Sequence, residues 1–294
     1  MHREGMVYFS IDGQIMIIRC WGSRGSIPVS GIEYERYGGD TTCLEIISKD
    51  DDLIVVDAGS GIRRLGLKAI KARRRTVNLI FTHSHWDHIL GFPFFKPAYI
   101  PGTTLNLFGC PFAQASIRNL LSSTMSPPYF PVKIEDLKAE LVYHGACTGP
   151  FDIGPVHVTP ILLSHPNQGI GYKFAEDGKT FVFLTDNELT YRHPGGLSFG
   201  EYVEFSRGAD LLIHDAEYTR EEYQATEGWG HSVYDDALRL AEEAHVRQFG
   251  LFHHNQERTD AGIDEIVGEC KIILDGHQTR MECLAIAAGT ELVL

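Results

Sequence analysis

The chain has 294 residues, of which 43% are hydrophobic and 22% are charged, and its formal net charge at pH 7 is −13. This composition is ordinary for a globular protein, and a chain of this length can bury a sizeable core without disulfides. The strong negative charge argues against a broad electrostatic grip on nucleic acid, which requires many Lys and Arg side chains.

Compartment signals point to the cytoplasm. Residues 1–15 mix charged and polar side chains without a sustained apolar stretch, so no secretory signal is predicted. No run approaches the about 18 apolar residues that a membrane-spanning helix needs. The 6 cysteines are widely and irregularly spaced, with no C-x-x-C pair, which indicates buried free thiols in a reducing compartment.

Strands and helices alternate along the chain. Short runs rich in Val, Ile and Leu predict strands at 15–20, 43–47, 53–57, 78–82, 104–109, 156–164, 169–174, 180–186, 210–215, 248–253, 284–287 and 291–294. Helical periodicity predicts helices at 61–74, 112–121, 200–206, 218–226, 232–244 and 260–273. No linker or repeat divides the chain. We therefore predict one domain over residues 1–294, of the α/β class, with sheet layers sandwiched by helices.

Three shorter segments have predictions of their own. The turn Glu176-Asp177-Gly178 between two strands predicts a hairpin. The proline-rich segment 122–132 is interpreted either as an ordered loop over a cleft or as a plain surface connection. Ser232 stands at the expected N-cap of the helix at 232–244.

The run HSHWDH at 83–88 directly follows the predicted strand 78–82. Alternate residues of extended chain face the same way, so His83 and His85 point to one place. A helix that begins near Trp86 would turn Asp87 and His88 towards a second place nearby. Strand ends of α/β folds commonly bind ligands, and imidazole with carboxylate suits zinc, manganese or iron. The run therefore predicts a site for two metal ions rather than a polar loop.

Two metal ions need further ligands, and three candidates also follow predicted strands. His165 ends the run 156–165, Asp186 ends 180–186, and His253 ends 248–253 with His254 beside it. Each residue alone would be read as a turn or cap. Their joint occurrence after the HSHWDH run makes them candidate ligands.

With these motifs the sequence resembles the metallo-β-lactamase superfamily, in the phosphodiesterase branch that includes tRNase Z and small cyclic-phosphate phosphodiesterases. The resemblance extends from about residue 16 to the C-terminus. It is carried by residues in strand-end motifs: Asp57 in VVDAGSG, the HSHWDH run, His165, Asp186 in FLTDNE, Asp215 in LLIHDAEYT, His231 in GWGHS and His253 in LFHHN. It implies an αββα sandwich of two mixed sheets flanked by helices.

The resemblance also implies the roles of the ligands. One divalent ion would be held by His83, His85 and His165, the other by Asp87, His88 and His253, and Asp186 would bridge the two. His253 is preferred to His254 because it falls nearer the strand end. Zinc is the expected metal, with manganese or iron as alternatives, and a homodimer is suggested.

Two adjacent metal ions can supply a hydroxide at neutral pH, so the hypothesis is hydrolysis of a phosphodiester, with Asp87 as a proton acceptor. The resemblance implies the pairing of His231 with Asp215. His231, oriented by Asp215, would protonate the leaving alkoxide. A plain helix N-terminal position before Ser232 is the alternative for His231. Asp57 either accepts a hydrogen bond from a ligating histidine or caps a turn.

The segment 21–26, WGSRGS, has two interpretations. The backbone of Gly22, Ser23 and Gly25 would offer N–H groups to a phosphate, or the glycines would only serve tight turns. Arg24 would add charge to such a phosphate site, but an exposed side chain is the favoured expectation.

The predicted substrate is a small phosphodiester, such as a cyclic nucleotide or a cyclic sugar phosphate. The chain lacks the long basic, glycine-rich arm of the tRNA-cutting members and is acidic, so no extended nucleic-acid surface is expected. Two alternatives stay open: hydrolysis of a thioester, lactone or lactam, and a metal-binding sensor module without rapid turnover.

Overall fold

The computed structural model describes residues 16–109, 116–145 and 149–294. Its described strands form two seven-stranded sheets. In spatial order the first sheet contains β14 (Glu291–Val293), β1 (Ile17–Gly22), β2 (Cys43–Ile47), β3 (Leu53–Val56), β4 (Thr76–Ile80), β5 (Thr104–Phe108) and β6 (Glu140–His144). The second contains β13 (Glu282–Ala285), β12 (Gln248–Phe252), β11 (Leu211–Asp215), β10 (Lys179–Leu184), β9 (Gly169–Glu176), β8 (Val156–Leu163) and β7 (Phe151–Ile153).

The α-helices flank the sheets. They are α1 (Ile62–Lys71), α2 (Trp86–Ile89), α3 (Ile117–Thr124), α4 (Phe199–Ser206), α5 (Arg220–Thr226), α6 (Tyr234–Glu243) and α7 (Asp260–His277). Short 3-10 turns occur at Ile32–Tyr34, Phe92–Phe94, Lys96–Tyr99 and Ile134–Asp136. No helix in the described ranges is both long enough and apolar enough to span a bilayer.

Three apolar layers hold the sandwich together. The central layer packs residues of both sheets against each other, among them Val56 of β3 and Phe183 of β10. Their strand neighbours face outwards: Val55 packs in the layer under α1 and α3, and Val182 packs in the layer under α4, α6 and α7. Because side chains alternate along a strand, these central strands bury both faces, which explains their continuous apolar runs. The predicted αββα sandwich is confirmed.

The strand directions place the carboxyl ends of many strands on the same side of the sandwich. β3 to β6 are parallel in the first sheet, as are β10 to β13 in the second. β8 and β10 each pair antiparallel with β9, so they also run in the same direction. The carboxyl ends of β3, β4, β8, β10, β11 and β12 therefore carry the predicted site residues.

Some local predictions are confirmed and others are wrong. Asp177 and Gly178 form a two-residue hairpin loop between β9 and β10, with φ of 45° and 81°. Ser232 is not the cap of α6, since its hydroxyl donates to the Asn187 carbonyl and the N-cap residue is Val233. The strands β6 and β7 were not predicted.

Four cysteines, Cys20, Cys43, Cys270 and Cys283, are buried free thiols. Cys110, Cys147 and residues 1–15, for which no secretory signal is predicted, lie outside the described ranges, as does the start of the helix predicted at 112–121.

Candidate metal centre

The seven predicted ligands meet where the carboxyl ends of strands from the two sheets lie together. His83 and His85 follow β4, and the chain then turns into α2 with Asp87 and His88. His165, Asp186 and His253 follow β8, β10 and β12. The candidate ligand atoms of His83, His85, His165 and Asp186 lie within 4.8 Å of one another, as do those of Asp87, His88, Asp186 and His253. Asp186 belongs to both groups.

The first group, which we call the His83 group (His83, His85, His165 and Asp186), consists mainly of imidazoles. His85 Nδ1 lies 2.9 Å from His165 Nε2, and His83 Nε2 lies 3.5 Å from Asp186 Oδ2. His165 Nδ1 donates to the Gly230 carbonyl at 2.9 Å. Because Nδ1 carries that proton, Nε2 of His165 presents its lone pair to the group.

The second group, the Asp87 group (Asp87, His88, Asp186 and His253), has two carboxylates. Asp87 Oδ2 lies 3.0 Å from His253 Nε2 and 3.3 Å from His88 Nε2. Asp186 lies 3.3 Å from His88 Nε2 through Oδ1 and 3.4 Å from His253 Nε2 through Oδ2. Both histidines thus present Nε2 to the two carboxylates.

The outer nitrogens of these histidines have carboxylate partners. His88 Nδ1 donates to Asp57 Oδ2 at 2.7 Å, which is the first of the two interpretations of Asp57. His253 Nδ1 donates to Glu217 Oε2 at 2.9 Å. Such pairs fix the tautomer and the ring orientation of a metal ligand.

Burial and neighbouring charge set opposite protonation preferences in the two groups. Burial lowers the pKa of His83 well below its usual value and lowers that of His165 to about 3, which leaves neutral rings with free lone pairs. Burial also opposes charge on His253, but Asp186, Asp87 and Glu217 outweigh it and raise its pKa well above the usual value. For Asp186 the surrounding histidines outweigh burial and hold the pKa well below normal.

The residues present fit divalent cations. The Nε2 atoms of His83 and His88 are buried and have no hydrogen-bond partner in the described part of the chain. A buried polar atom without a partner is costly unless something binds it. Two cations, one on each side of ionised Asp186, would bind one of these nitrogens each. The set of imidazole nitrogens and carboxylate oxygens suits zinc, manganese or iron. His254 belongs to neither ligand group, and its Nε2 donates a hydrogen bond to the Ile286 carbonyl at 2.9 Å.

His231 and Asp215 lie against this cluster. His231 Nδ1 is 3.3 Å from Asp215 Oδ2 and 3.5 Å from Glu217 Oε2, and its ring stacks on His253 at 4.6 Å. Burial lowers the pKa of His231, but Glu217 and Asp215 raise it to about 9. Since α6 begins only at Tyr234, His231 precedes the helix and faces the site.

Three site residues were missed by sequence reasoning, and the first two, Glu217 and Thr82, contact candidate ligand histidines or hold their partners. Glu217 is buried between His253 and Asn255, whose Nδ2 donates to it at 2.9 Å. Thr82 donates through Oγ1 to Asp57 Oδ2 at 2.7 Å. Glu217 stands two positions after Asp215, so the alternation of extended chain was an available signal for it.

Glu188 is a third missed residue, and it fixes the loop that carries His231. Its buried carboxylate accepts from His193 Nε2, Gly228 N and Gly230 N at 2.7 Å each and from the Tyr223 hydroxyl at 2.6 Å. The Gly230 carbonyl also accepts a hydrogen bond from His165 Nδ1. The Glu188 carboxylate therefore positions both a candidate ligand, His165, and the candidate proton donor, His231. The GWGHS motif gave no hint of this partner.

The WGSRGS segment packs against the candidate ligands, a role that neither the phosphate-binding nor the tight-turn interpretation included. The Gly25 N–H donates to the His254 carbonyl at 2.9 Å and is therefore not free for a phosphate. A Cβ on Gly25 would lie 2.4 Å from His253 Nδ1, so glycine is needed for close packing of that ring. The Ser26 N–H donates to Asp87 Oδ2 at 2.9 Å.

The expectation for Arg24 is wrong, because its side chain is fully buried. Its guanidinium donates to the carbonyls of Gly38, Asn255 and Arg258 at 2.8 to 3.3 Å. These backbone acceptors replace water around the charge, which makes the burial tolerable.

Comparisons with known proteins place the site in a family context. A family profile described as "Beta-lactamase superfamily domain" matches residues 53–254. Ribonuclease Z of Thermoplasma acidophilum is 24% identical over 255 residues, which cover 73% of this chain and 80% of that protein.

Two solved structures share the fold. The metallo-beta-lactamase fold protein YhfI from Bacillus subtilis superposes with a TM-score of 0.70 at 19% identity, over 96% of this chain and 100% of that one. The short form of human tRNase Z superposes with a TM-score of 0.64 at 17% identity, over 94% of this chain and 98% of that one.

These relatives correct the predicted partner. The expectation of a small phosphodiester and of no extended nucleic-acid surface is wrong, since curated relatives are named ribonuclease Z and a tRNase Z shares the fold. Net charge is a sum over the whole chain, whereas binding depends on the local potential and contacts at the cleft. The value of −13 therefore did not decide the substrate class.

Proposed function

The chain belongs to the beta-lactamase superfamily and is a metal-dependent hydrolase, and from that premise we propose that it cleaves phosphodiester bonds in RNA. The observation that carries the proposal is the pair of adjacent ligand groups that share Asp186. A shared carboxylate between two cation positions suits in-line displacement at phosphorus.

In this proposal one divalent ion would be held by His83, His85 and His165, and the other by Asp87, His88 and His253. Asp186, which belongs to both groups, would be shared between the two. Zinc is the favoured metal because tetrahedral zinc sites commonly use imidazole and carboxylate ligands. Two divalent ions in such a site supply a hydroxide at neutral pH and neutralise charge on the phosphate.

Asp87 is proposed as the proton acceptor. The Ser26 N–H holds its Oδ2 at 2.9 Å, and His253 Nε2 contacts the same oxygen at 3.0 Å. These contacts fix the carboxylate in one orientation, so it can take a proton from the attacking water without rearranging.

His231 is proposed as the proton donor to the leaving oxygen. Its Nδ1 faces Asp215 and Glu217, so the proton on that nitrogen is held by carboxylates and Nε2 is the nitrogen left for the substrate. Asp215 is itself anchored by the N–H groups of Asn187 and Ser232. An RNA alkoxide leaving group needs such a donor, whereas the thiolate of a thioester does not. The alkoxide of a lactone and the amine of a lactam need one too, so the preference for phosphorus over these two rests on the relatives named ribonuclease Z.

The test is a substrate panel with matched metal states. Chelated protein and protein restored with zinc, manganese or iron are given an RNA with a single-stranded 3′ extension, bis-p-nitrophenyl phosphate, an acyl thioester and nitrocefin. We expect cleavage of both phosphodiesters only after metal is restored. Turnover of the thioester or of nitrocefin without cleavage of either phosphodiester would indicate a hydrolase that acts at a carbonyl carbon. Metal-loaded protein that is inert on all four would make the chain a binding module.

A matched pair of variants assigns the activity to this site. Asp186→Asn should abolish the metal-dependent cleavage. His157→Ala should retain it, because His157 is 53% exposed on β8, far along the strand from His165.

A further inference from the structure

Two exposed indoles stand beside the metal ligands. Trp86 is 68% exposed and lies between His85 and Asp87 in the chain, and Trp229 is 64% exposed and directly precedes Gly230. Large aromatic side chains usually bury most of their surface, so two such rings next to the candidate ligands indicate a contact surface.

Hydrogen-bond contacts connect the two indole-bearing segments. His85 Nδ1 lies 2.9 Å from His165 Nε2, and His165 Nδ1 lies 2.9 Å from the Gly230 carbonyl. The pair of His85 and His165 therefore separates the backbone that carries Trp86 from the backbone that carries Trp229. Of the four residues in the His83 group, His85 is the only one that is half-buried rather than buried, so the group meets solvent at His85.

Neither indole is exposed because of a loose backbone. Trp86 begins α2, which buries its next three residues. The residues on either side of Trp229, Gly228 and Gly230, both donate N–H groups to Glu188 at 2.7 Å. Tyr191, 43% exposed, adds a third ring beside this loop, since a Cβ on Gly228 would lie 3.9 Å from its Cζ.

We propose that Trp86 and Trp229 stack on unpaired bases of the RNA, one on each side of the phosphodiester that is cleaved. The inference rests on the proposed function and adds the substrate's form, a single-stranded segment. Stacking of a base on an indole does not depend on charge, so the net charge of −13 does not oppose it, and an aromatic ring accepts the face of any base. Base-paired RNA keeps its base faces covered, so only unpaired nucleotides offer a free face.

Tryptophan fluorescence can report RNA binding at the two indoles, because the chain has 3 tryptophans and the third, Trp21, lies in a different part of the fold. Trp21 donates through Nε1 to Glu45 and lies under Arg64 on the α1 side of the first sheet. Metal-loaded protein is titrated with a single-stranded oligoribonucleotide with phosphorothioate linkages, with an abasic oligomer of equal length, and with a duplex. Tryptophan fluorescence and the dissociation constant are measured.

We expect strong quenching by the single strand and little by the abasic or duplex RNA. Trp86→Ala and Trp229→Ala should each reduce the quenching and weaken binding about tenfold, the loss typical of one stacked base. Trp21→Phe should leave binding unchanged. Equal quenching by the abasic oligomer, or full affinity in both alanine variants, would overturn the proposal.

The outcome is separable from the proposed function. Metal-dependent cleavage of RNA without base-dependent quenching would refute the stacking and leave the ribonuclease activity in place. Base-dependent quenching by a protein that cleaves no phosphodiester would support the stacking and refute the ribonuclease activity.

Discussion

The ring of His253 is fixed from three sides. Its Nδ1 donates to Glu217, one face stacks on His231, and Gly25 approaches so closely that a Cβ there would lie 2.4 Å from Nδ1. The backbone at His253 is itself left-handed, with φ of 54°. Such an unfavourable conformation persists only where neighbours hold it, and it is typical of functional sites.

His231 is where the proposed chemistry can be separated from metal binding. His231→Ala should lower kcat on RNA by about 10²- to 10⁴-fold, because the leaving oxygen loses its proton donor. Metal content, measured by elemental analysis, should not change. A variant with normal turnover would remove His231 from the mechanism.

The carboxylates behind the ligands should control metal affinity. Asp57→Asn and Glu217→Gln each weaken the partner of a ligating imidazole and should lower affinity by about 10- to 100-fold. Glu176→Gln is the matched control, since Glu176 is equally buried but accepts from Lys49 N near the hairpin. Competition titration with a zinc indicator measures all three. Equal affinities would reduce Asp57 and Glu217 to structural roles.

Residue type at strand ends was enough to find the seven candidate ligands. It was not enough for Arg24 or Glu188. The buried guanidinium of Arg24 donates to the carbonyl of Gly38 and to two carbonyls that lie 231 and 234 positions away in sequence. Glu188 holds a loop about 40 positions further on, at Gly228 and Gly230. Sequence patterns report local order and periodicity, and contacts at this separation exist only in the folded chain.

At the scale of elements, three strands end in the same way. Asp57 after β3, Asp186 after β10 and His253 after β12 all have left-handed backbone, with φ of 63°, 52° and 54°. This turn redirects the chain directly after the strand and sets the side chain at the sheet edge. The repeated conformation in residues that are not glycine, which costs about 1–3 kcal/mol each, supports a shared functional reason.

Gly230 tests how closely the loop must approach a ligand. A Cβ there would lie 2.1 Å from His165 Nδ1, whereas a Cβ on Gly178 would meet nothing within 4 Å. Both glycines have positive φ, 96° and 81°. Gly178→Ala should therefore lower the free energy of unfolding by only about 1–2 kcal/mol, which is the strain of a left-handed backbone at a residue with a Cβ.

Gly230→Ala should destabilise the protein more and also lower its metal content, because His165 must move. Urea unfolding and elemental analysis of the two variants make the comparison. Equal stability losses with equal metal content would show that His165 tolerates the displacement.

Most elements were predictable because their strands are continuous apolar runs bounded by turns. The two missed strands lack that signal. β7 has only three residues, and β6 (ELVYH) mixes charge with apolar side chains and has no fully buried residue. Both are edge strands, where solvent on one side removes the need for apolar residues.

At the scale of the molecule, the site joins the two sheets. His83, His85, Asp87 and His88 follow a strand of the first sheet, and His165, Asp186 and His253 follow strands of the second. Each ligand group contains members from both sides. A bound ion would therefore link the halves of the sandwich at one edge.

Metal removal should consequently destabilise the whole fold. An ion present at 1,000 times its dissociation constant stabilises the native state by about 4 kcal/mol, which corresponds to a Tm shift of about 7 °C for a protein of this size. Calorimetry of chelated and metal-restored protein measures the shift. An unchanged Tm in protein that demonstrably binds metal would show that the sheets do not depend on the site.

The central claim is that seven side chains hold two divalent ions, and metal equivalents per chain test it most directly. Elemental analysis of saturated, desalted protein should find two equivalents in the wild type and about one in both His165→Ala and His88→Ala. No bound metal in the wild type, or full occupancy in both variants, would contradict the account.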